Sequence, residues 1–202
     1  MKLYITRHSK TLWNTLAINQ GHLDSPLTEE GIELALSLRK YKIKFDKVFS
    51  SDLYRAYHSA RLIVGDEVEI EKTPLLREID VGMWSGKSLE RIRREHRKSI
   101  DTYFKEPQDF RNPSGEDLYD LMERVDRFFN ECIFYKDYKN VLIVTHGVTL
   151  CAILDYIEKV PMEKFWSNGK RRNSQYNLVE CRGNRLKIIK KAPKSKNRNY
   201  SL

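Results

Sequence analysis

The stretch Val141-Leu142-Ile143-Val144-Thr145 decides how this chain folds, because four of its five residues are aliphatic. Alternate residues of a β-strand point to opposite faces of the sheet. A strand that is apolar on both faces is therefore typical of a central strand that helices cover on both sides. This stretch predicts a layered domain with a sheet in its middle.

Shorter apolar runs occur at Leu3–Thr6 and Val48–Ser50, and helical patterns lie between these runs. The helical patterns span about residues 28–41, 52–64, 88–96, 115–135 and 148–156. Thr28 can cap the first of these helices, and Ser51 or Asp52 can cap the second. Strands that alternate with helices predict an α/β fold, a three-layer sandwich with a mostly parallel central sheet and helices on both faces.

The end of the chain has a different pattern. Residues 175–181 and 185–192 are joined by Arg182-Gly183-Asn184, which predicts a closing β-hairpin. We expect a catalytic domain over residues 1–192, followed by a basic, flexible tail over residues 193–202. No internal repeat or linker divides the 202 residues, and a hydrophobic share of 40% suits one globular domain.

The net charge of +9 is concentrated at the C-terminus, where Arg182 and the residues after it contribute eight positive charges and no acidic residue. The rest of the chain is therefore nearly neutral. A solvated basic tail explains this distribution better than a nucleic-acid contact, because no RNA-binding motif or zinc-finger spacing accompanies it.

The cysteine pattern bears on the cellular compartment. Cys132, Cys151 and Cys181 are odd in number, far apart and not arranged in CxxC pairs, so neither a disulfide framework nor a zinc site is indicated. No window approaches the roughly 20 apolar residues that span a bilayer, and no signal-peptide pattern begins the chain. We therefore expect a cytoplasmic location and no membrane partner.

Two predicted strands end in the same way, since Leu3–Thr6 leads into Arg7-His8 and Val141–Thr145 leads into His146-Gly147. Ligands of open parallel sheets bind beyond the carboxyl ends of the strands. If these two strands are neighbours, His8 and His146 meet at one crevice.

A third strand leads into a helix whose first turn contains Arg55. A cation there opposes the helix dipole, so we expect an anion that the helix N–H groups and the guanidinium share. A lone histidine after a strand is usually structural and a lone arginine is usually solvated, but two of each form a cationic box that suits a phosphate dianion. A metal site is the rival interpretation. Arginine neighbours disfavour it, as does the lack of a carboxylate at either strand end, so we expect no metal and no cofactor.

At these residues the sequence resembles a known family. Arg7-His8-Ser9-Lys10-Thr11-Leu12-Trp13-Asn14 is similar to the Arg-His-Gly-Glu-Thr-x-x-Asn signature of the histidine phosphatase, or phosphoglycerate mutase-like, superfamily. Further matching segments follow in family order: Gln20-Gly21, Asp24, Pro26-Leu27-Thr28, Gly31, residues 50–56, residues 76–79, Ser114-Gly115-Glu116 and residues 144–147.

The resemblance implies a small phosphatase-type member, a metal-independent phosphomonoester hydrolase that forms a phosphohistidine intermediate on a small phosphorylated metabolite. It implies that His8 is the nucleophile, that Glu78 is the general acid and base, and that His146 completes the catalytic set. The residues implied to hold the phosphate or substrate are Arg7, Asn14, Gln20, Gly21, Arg55 and Gly147. Phosphoryl transfer mainly requires positioning and positive charge, which fits this set.

Two alternatives stay open at this point. A phosphoglycerate mutase shares every implied residue, but mutases of the family tend to carry a longer segment between the acid and the second histidine, so the short interval from Glu78 to His146 favours hydrolysis. A non-catalytic phosphate-binding regulatory module is supported only by Ser9 and Lys10, which replace the family's glycine and glutamate. We expect Lys10 to add attraction for highly anionic substrates. The sequence identifies neither the phosphate ester nor the oligomeric state.

Overall fold

The computed structural model describes residues 1–195. Its central sheet has six strands. These strands are β1 (Lys2–Arg7), β2 (Lys47–Ser51), β3 (Glu71–Thr73), β4 (Asn140–Thr145), β5 (Asn177–Arg182) and β6 (Arg185–Lys190). Their order across the sheet is β3-β2-β4-β1-β5-β6. The first four strands in this order are parallel, whereas β5 runs antiparallel to both β1 and β6. The mostly parallel sheet and the closing hairpin are confirmed.

Within residues 1–195, seven α-helices lie between these strands. They are α1 (Leu12–Thr15), α2 (Glu29–Ser37), α3 (Tyr54–Val64), α4 (Leu89–Glu95), α5 (Arg97–Lys105), α6 (Leu118–Phe128) and α7 (Gly147–Glu158). Short 3-10 turns span Leu38–Tyr41, Pro74–Leu76, Gly82–Trp84, Pro107–Asp109 and Met162–Ser167, and a π-helical turn spans Phe129–Ile133. No helix among residues 1–195 combines the length and the apolar character needed to cross a membrane.

The side chains of β4 show why the domain has three layers. Val141 and Ile143 belong to the large apolar cluster that includes residues of α6 and α7. Leu142 and Val144 belong to a second cluster, with residues of α2 and α3. All four side chains are fully buried, as a central strand covered on both sides requires. The three-layer sandwich is confirmed.

Of the two predicted helix caps, one is present in the structure and the other is not. The Thr28 side chain accepts a hydrogen bond from Gly31 N–H and caps α2, as predicted. The predicted cap of α3 is wrong, because neither Ser51 nor Asp52 binds its first turn. Leu53 is the residue before that helix and provides no side-chain cap. The cap comes instead from a distant residue, which belongs to the candidate site.

Other elements differ from expectation in their bounds. The helix predicted over residues 115–135 begins at Leu118, because the Asp117 carboxylate caps it by accepting from Tyr119 and Asp120 N–H, and it turns π-helical after Phe128. The sequence analysis also missed β3 and α5. β3 has only three residues, and the nine residues of α5 carry few apolar side chains.

The C-terminal residues that the structure describes are paired with another segment. Arg172 N–H donates to the Pro193 carbonyl at 3.1 Å, and Ser195 N–H donates to the Lys170 carbonyl at 2.8 Å. The first three residues of the predicted tail are thus attached to the domain. Residues 196–202 lie outside the described part of the chain, so the extent of a flexible tail stays a prediction.

Candidate active site

The two histidines lie at neighbouring strand ends, as predicted. β1 and β4 are adjacent and parallel with Arg7 opposite Thr145, and His8 N–H donates to the Thr145 carbonyl at 2.7 Å. The two imidazole rings have centroids 5.2 Å apart, although nearly 140 residues separate them along the chain. Parallel pairing of two strands therefore creates the centre of the site.

The tautomer of His8 follows from one contact. Its Nδ1 lies 2.7 Å from the Ser9 carbonyl oxygen, which can only accept a hydrogen bond. In the neutral ring Nδ1 therefore carries the hydrogen and Nε2 carries the lone pair. Burial lowers the pKa of His8 well below its ordinary value, and the charges of Arg55 and Arg7 add to this effect. The structure thus favours the neutral, nucleophilic form.

His146 is fully buried, and neither of its ring nitrogens has a hydrogen-bond partner among residues 1–195. Burial, with further contributions from the charge of Arg55 and from His8, also lowers the pKa of this imidazole well below its ordinary value. A buried polar group without a partner costs free energy unless a ligand meets it. The ring, whose centroid lies 5.2 Å from that of His8, is therefore a candidate for a ligand contact.

Arg55 is held rigidly at the start of α3. Its Nη1 donates to the Leu23 carbonyl at 2.7 Å and to Asp24 Oδ1 at 2.8 Å, and its Nη2 donates to the Gly21 carbonyl at 2.7 Å. The side chain is 1% exposed, and its Nε has no partner within residues 1–195. The backbone of Gly21 has φ +51, and a Cβ there would come within 2.8 Å of Val81, so only glycine suits this position.

The anion that the first turn of α3 was expected to share with the guanidinium is a side chain of the protein. Asp24 accepts hydrogen bonds from Tyr54 N–H at 2.8 Å and Arg55 N–H at 3.2 Å, besides its contact with the Arg55 guanidinium. The expectation that these backbone N–H groups would bind substrate is therefore wrong. The guanidinium Nε and the second hydrogen of Nη2 remain as donors that Arg55 can offer to a ligand.

Glu78 is bound at the N-terminus of α7. Its carboxylate accepts from the N–H groups of Gly147 at 3.0 Å, Val148 at 3.0 Å and Thr149 at 3.1 Å. A Cβ on Gly147 would lie 3.4 Å from both Glu78 Oε2 and Arg7 Nε, so the absence of a side chain there lets the two charged groups converge. Arg7 Nε is another buried donor with no partner in the described chain.

The backbone around Glu78 is fixed by an ion pair between Arg124 and Glu116. Arg124 donates to the carbonyls of Leu75 at 2.8 Å and Arg77 at 3.0 Å. The same guanidinium pairs with Glu116 at 2.8 Å. Glu116 in turn accepts from Asp80 N–H at 2.9 Å. The Ser114-Gly115-Glu116 segment thus holds the loop that carries Glu78.

Asn14 and Gln20 line the same cleft. Asn14 Oδ1 accepts from Thr11 N–H at 3.2 Å and from Asn173 Nδ2 at 3.5 Å, and neither contact uses the Asn14 Nδ2 donor. Gln20 is 8% exposed, and its Nε2 donates to the Thr11 hydroxyl at 3.0 Å. Seven of the nine residues of the predicted set line one cleft, and Gln20 and Gly21 among them hold their neighbours. His146 and Gly147 do not line it but adjoin it, because the His146 ring lies 5.2 Å from that of His8 and Gly147 N–H donates to Glu78.

Sequence analysis missed two residues that hold this site. One is Asp24, which matched the family pattern without an assigned role. The other is Asn173, whose Nδ2 donates to the His8 carbonyl at 2.7 Å. Asn173 lies in a polar stretch after the last helical turn, and no sequence signal connects it to a residue 165 positions away.

The two departures from the family signature take different positions. Ser9 is buried, with its N–H donating to the Ser59 hydroxyl at 2.8 Å and its hydroxyl contacting Gly31 and Ser174. Lys10 forms an ion pair with Glu30 at 2.5 Å. Because this carboxylate offsets the lysine charge, the expected attraction of Lys10 for anionic substrates is weakened.

The cleft contains about 600 Å³ of space not filled by protein atoms, part of which is open solvent. Its lining combines His8, Arg7, Arg55 and Glu78 with apolar side chains. No cluster of three or more histidine, cysteine, aspartate or glutamate side chains within the described residues could hold a metal ion. Two guanidinium groups around a neutral histidine form a site for a dianionic phosphate.

Known proteins share the sequence pattern and the fold of this chain. Residues 3–192 match the profile of the histidine phosphatase superfamily (branch 1). The chain is 30% identical to the adenosylcobalamin/alpha-ribazole phosphatase of Escherichia coli K12 over 82% of this chain and 83% of that protein. It is 31% identical to phosphoserine phosphatase 1 of Hydrogenobacter thermophilus over 94% and 91%. The solved structure of YhfR from Bacillus stearothermophilus superposes with a TM-score of 0.88 at 29% identity, covering 93% of this chain and 95% of that one.

Proposed function

The chain belongs to the histidine phosphatase superfamily and is a phosphomonoester hydrolase of it, and on that premise we propose that His8 Nε2 is the atom that attacks phosphorus. The observation that carries this assignment is the hydrogen bond between Nδ1 and the Ser9 carbonyl, which leaves the Nε2 lone pair for the cleft. Attack forms the N–P bond while the bond from phosphorus to the ester oxygen breaks. The electron pair of that bond leaves with the alcohol.

The charge on the transferring phosphoryl group is balanced by fixed donors. Arg7 Nε, Arg55 Nε and the ring nitrogens of His146 are buried and have no partner within residues 1–195. Asn14 Nδ2 supplies a further donor in the same cleft. The Leu23 carbonyl and the Asp24 carboxylate hold the Arg55 guanidinium in place. Little reorganisation of the site is therefore needed when charge develops on the phosphate oxygens.

We assign the proton transfers to Glu78. The alkoxide is a poor leaving group, so a carboxylic acid that protonates the ester oxygen helps bond cleavage. After the alcohol leaves, the resulting carboxylate takes a proton from water, which attacks phosphorus and releases His8 and inorganic phosphate. Glu78 must exchange at least one of its contacts with the N-terminus of α7 to reach the ester oxygen.

The alternative of a phosphoglycerate mutase would use the same residues but would have to exclude water from the phosphohistidine. The short segment between Glu78 and His146 and the open cleft favour hydrolysis. The substrate is a small-molecule phosphate ester. A nucleic-acid partner is not proposed, and the three unpaired cysteines support a reducing, cytoplasmic location.

The test is a phosphoryl-trapping experiment. Brief incubation with a ³²P-labelled ester and a quench without acid should leave label on His8 alone. The His8→Ala variant should lose at least about 10³-fold in kcat, as removals of a nucleophile do in other enzymes. His96→Ala is the matched control, because His96 lies at the end of α4 and outside the cleft. Label on His146, or near-normal turnover of His8→Ala, would overturn the assignment.

A second measurement concerns metals. Because arginine and histidine side chains supply the positive charge in this proposal, activity should survive exhaustive chelation. Vanadate should inhibit by mimicking five-coordinate phosphorus. Activity that chelator abolishes and Mg²⁺ or Zn²⁺ restores would require a metal-dependent mechanism instead.

A further inference from the structure

Besides the residues proposed to bind the phosphate, the lining of the cleft includes an apolar wall. Its side chains come from the segment between Glu78 and the end of α5: Ile79, Val81, Trp84, Leu89, Ile100, Tyr103 and Phe104. Ile18 also lines this region. The alcohol of an ester whose phosphate lies at His8 therefore has mostly aliphatic and aromatic carbon to contact in this cleft.

This apolar wall is fixed before any substrate binds. Trp84 and Tyr103 are each 5% exposed and pack edge to face, with ring centroids 5.6 Å apart. The Tyr103 carbonyl accepts a hydrogen bond from Trp166 Nε1 at 2.6 Å, and Phe104 packs against the Tyr103 ring with centroids 5.0 Å apart. Binding to a rigid apolar wall is most favourable for a ligand group that loses its water at little cost.

The charges in the cleft disfavour a polar alcohol with an ammonium group. The charged side chains among the lining residues are Arg7, Arg55, Lys170 and Glu78. Among the described residues that line the cleft, Glu78 is the one acidic residue, and its carboxylate is bound by the N-terminus of α7. An ammonium group on the substrate would lose water without gaining a carboxylate partner, which is costly.

We propose that the alcohol of the substrate carries an aromatic or similarly bulky apolar group that packs against this wall. The substrate class is then the monophosphate of an aryl-bearing or cycloalkyl-bearing alcohol, rather than that of an amino alcohol or a small polyol. This inference rests on the proposed phosphatase function and adds the leaving-group side of the same site. Packing of apolar surface against the wall supplies the discrimination, since the phosphate contacts are the same for every ester.

The experiment compares three primary alkyl phosphates, whose leaving groups are all primary alkoxides. We expect kcat/KM for 2-phenylethyl phosphate to exceed that for ethyl phosphate by at least tenfold, and 2-aminoethyl phosphate to be the poorest of the three. Equal values, or a preference for 2-aminoethyl phosphate, would overturn the inference while leaving hydrolysis itself intact. If none of the esters is hydrolysed and no label reaches His8, the proposed function fails and this inference fails with it.

A variant separates recognition from stability. Phe104→Ala should lower the ratio of kcat/KM between 2-phenylethyl and ethyl phosphate about tenfold, whereas a purely structural effect would lower both values and leave the ratio unchanged. Phe104→Leu should recover part of the ratio because it restores apolar volume. Tyr135→Ala is the control, since Tyr135 is 79% exposed and outside the cleft, and it should keep the ratio. An unchanged ratio in Phe104→Ala would overturn the assignment of this wall to the substrate.

Discussion

The Nδ1 atom of His8 lies 2.7 Å from the carbonyl oxygen of Ser9, and this contact determines which nitrogen of the ring can attack. The carbonyl belongs to the next residue in the chain, so it stays beside the His8 ring and keeps the same tautomer. Substitution of the Ser9 side chain leaves this contact in place, because the acceptor is a backbone atom. The departure of Ser9 from the family signature therefore does not remove the orientation of His8.

The first prediction concerns the chemical form of the intermediate. Phosphate should be attached to Nε2 of His8, because Nδ1 is occupied as a hydrogen-bond donor to Ser9. The two phosphohistidine isomers can be separated after alkaline digestion of the labelled protein, or distinguished by ³¹P NMR. Recovery of the Nδ1 isomer would contradict the proposed geometry.

The second prediction is the titration of His8. Burial and the neighbouring Arg55 and Arg7 charges lower its pKa, so His8 stays neutral and reactive well below pH 6.5. Titration of the His8 ring proton signals by NMR should give a midpoint clearly under that of the exposed histidines of the denatured chain. A midpoint at or above 6.5 would show that the arginines do not act on this ring as the structure indicates.

The third prediction tests the anchor of Arg55. Asp24→Ala removes the acceptor that Arg55 Nη1 and the N–H groups of α3 share, so kcat/KM should fall by about 10- to 100-fold and the free energy of unfolding by about 1–3 kcal/mol. Asp52→Ala is the matched control, because Asp52 precedes the same helix but pairs with Arg77. Similar losses of kcat/KM in both variants would mean that Asp24 acts only through general stability.

The fourth prediction concerns Asn173 as a positioning residue. Its Nδ2 donates to the His8 carbonyl, so both Asn173→Ala and Asn173→Asp remove the donor. We expect kcat, and the rate of phosphohistidine formation in a rapid-quench experiment, to fall about 10-fold or more while KM changes little, because the nucleophile is misaligned but the phosphate donors remain. Gln175→Ala, two positions away, is the control. A rise in KM at unchanged kcat would refute a positioning role.

The fifth prediction uses a buried carboxyl outside the cleft. Asp155 is 1% exposed, its Oδ1 accepts from Asn168 at 2.6 Å, and its Oδ2 has no partner within the described residues. Burial, partly opposed by the Asn168 hydrogen bond, raises its pKa to about 7. Because the folded state binds this proton more tightly than the unfolded state, wild-type stability from this group falls as pH rises from about 4 to 7, by about 1.4 kcal/mol per pH unit.

The Asp155→Asn variant mimics the protonated carboxyl at every pH. Its free energy of unfolding should therefore equal that of the wild type near pH 4. It should exceed the wild-type value by a growing margin between pH 4 and 7, and remain higher above pH 7. Denaturant unfolding at pH 4.5, 6 and 8 measures the difference. Equal pH dependence of the two proteins would show that the carboxyl is ionised in the folded state throughout this range.

The central strand and the two histidines were predictable because their signals are local. The aliphatic composition of Val141–Thr145 predicts that this strand is buried. The ends of the two strands place Arg7-His8 and His146 at one edge of the sheet. Once the two strands are taken to pair in parallel, the proximity of the two rings follows.

The residues that sequence analysis missed act over long separations. Asp24 caps a helix that begins 30 positions later, and Asn173 supports a backbone group 165 positions earlier. A sequence pattern records the spacing within one element but not which loop lies against which helix. β3 was missed for a similar reason, because its three residues are defined by pairing with β2 rather than by their own composition.

The position of β1 has a consequence for biogenesis. The strand that leads to His8 is synthesised before the other strands of the sheet, yet its two neighbours are β4 and β5, which are synthesised much later. Both edges of β1 therefore stay unpaired until those strands emerge, and contacts of such high sequence separation form slowly. A nascent chain that stalls before β5 can contain every proposed catalytic residue and still lack one of the strands that hold His8 in place.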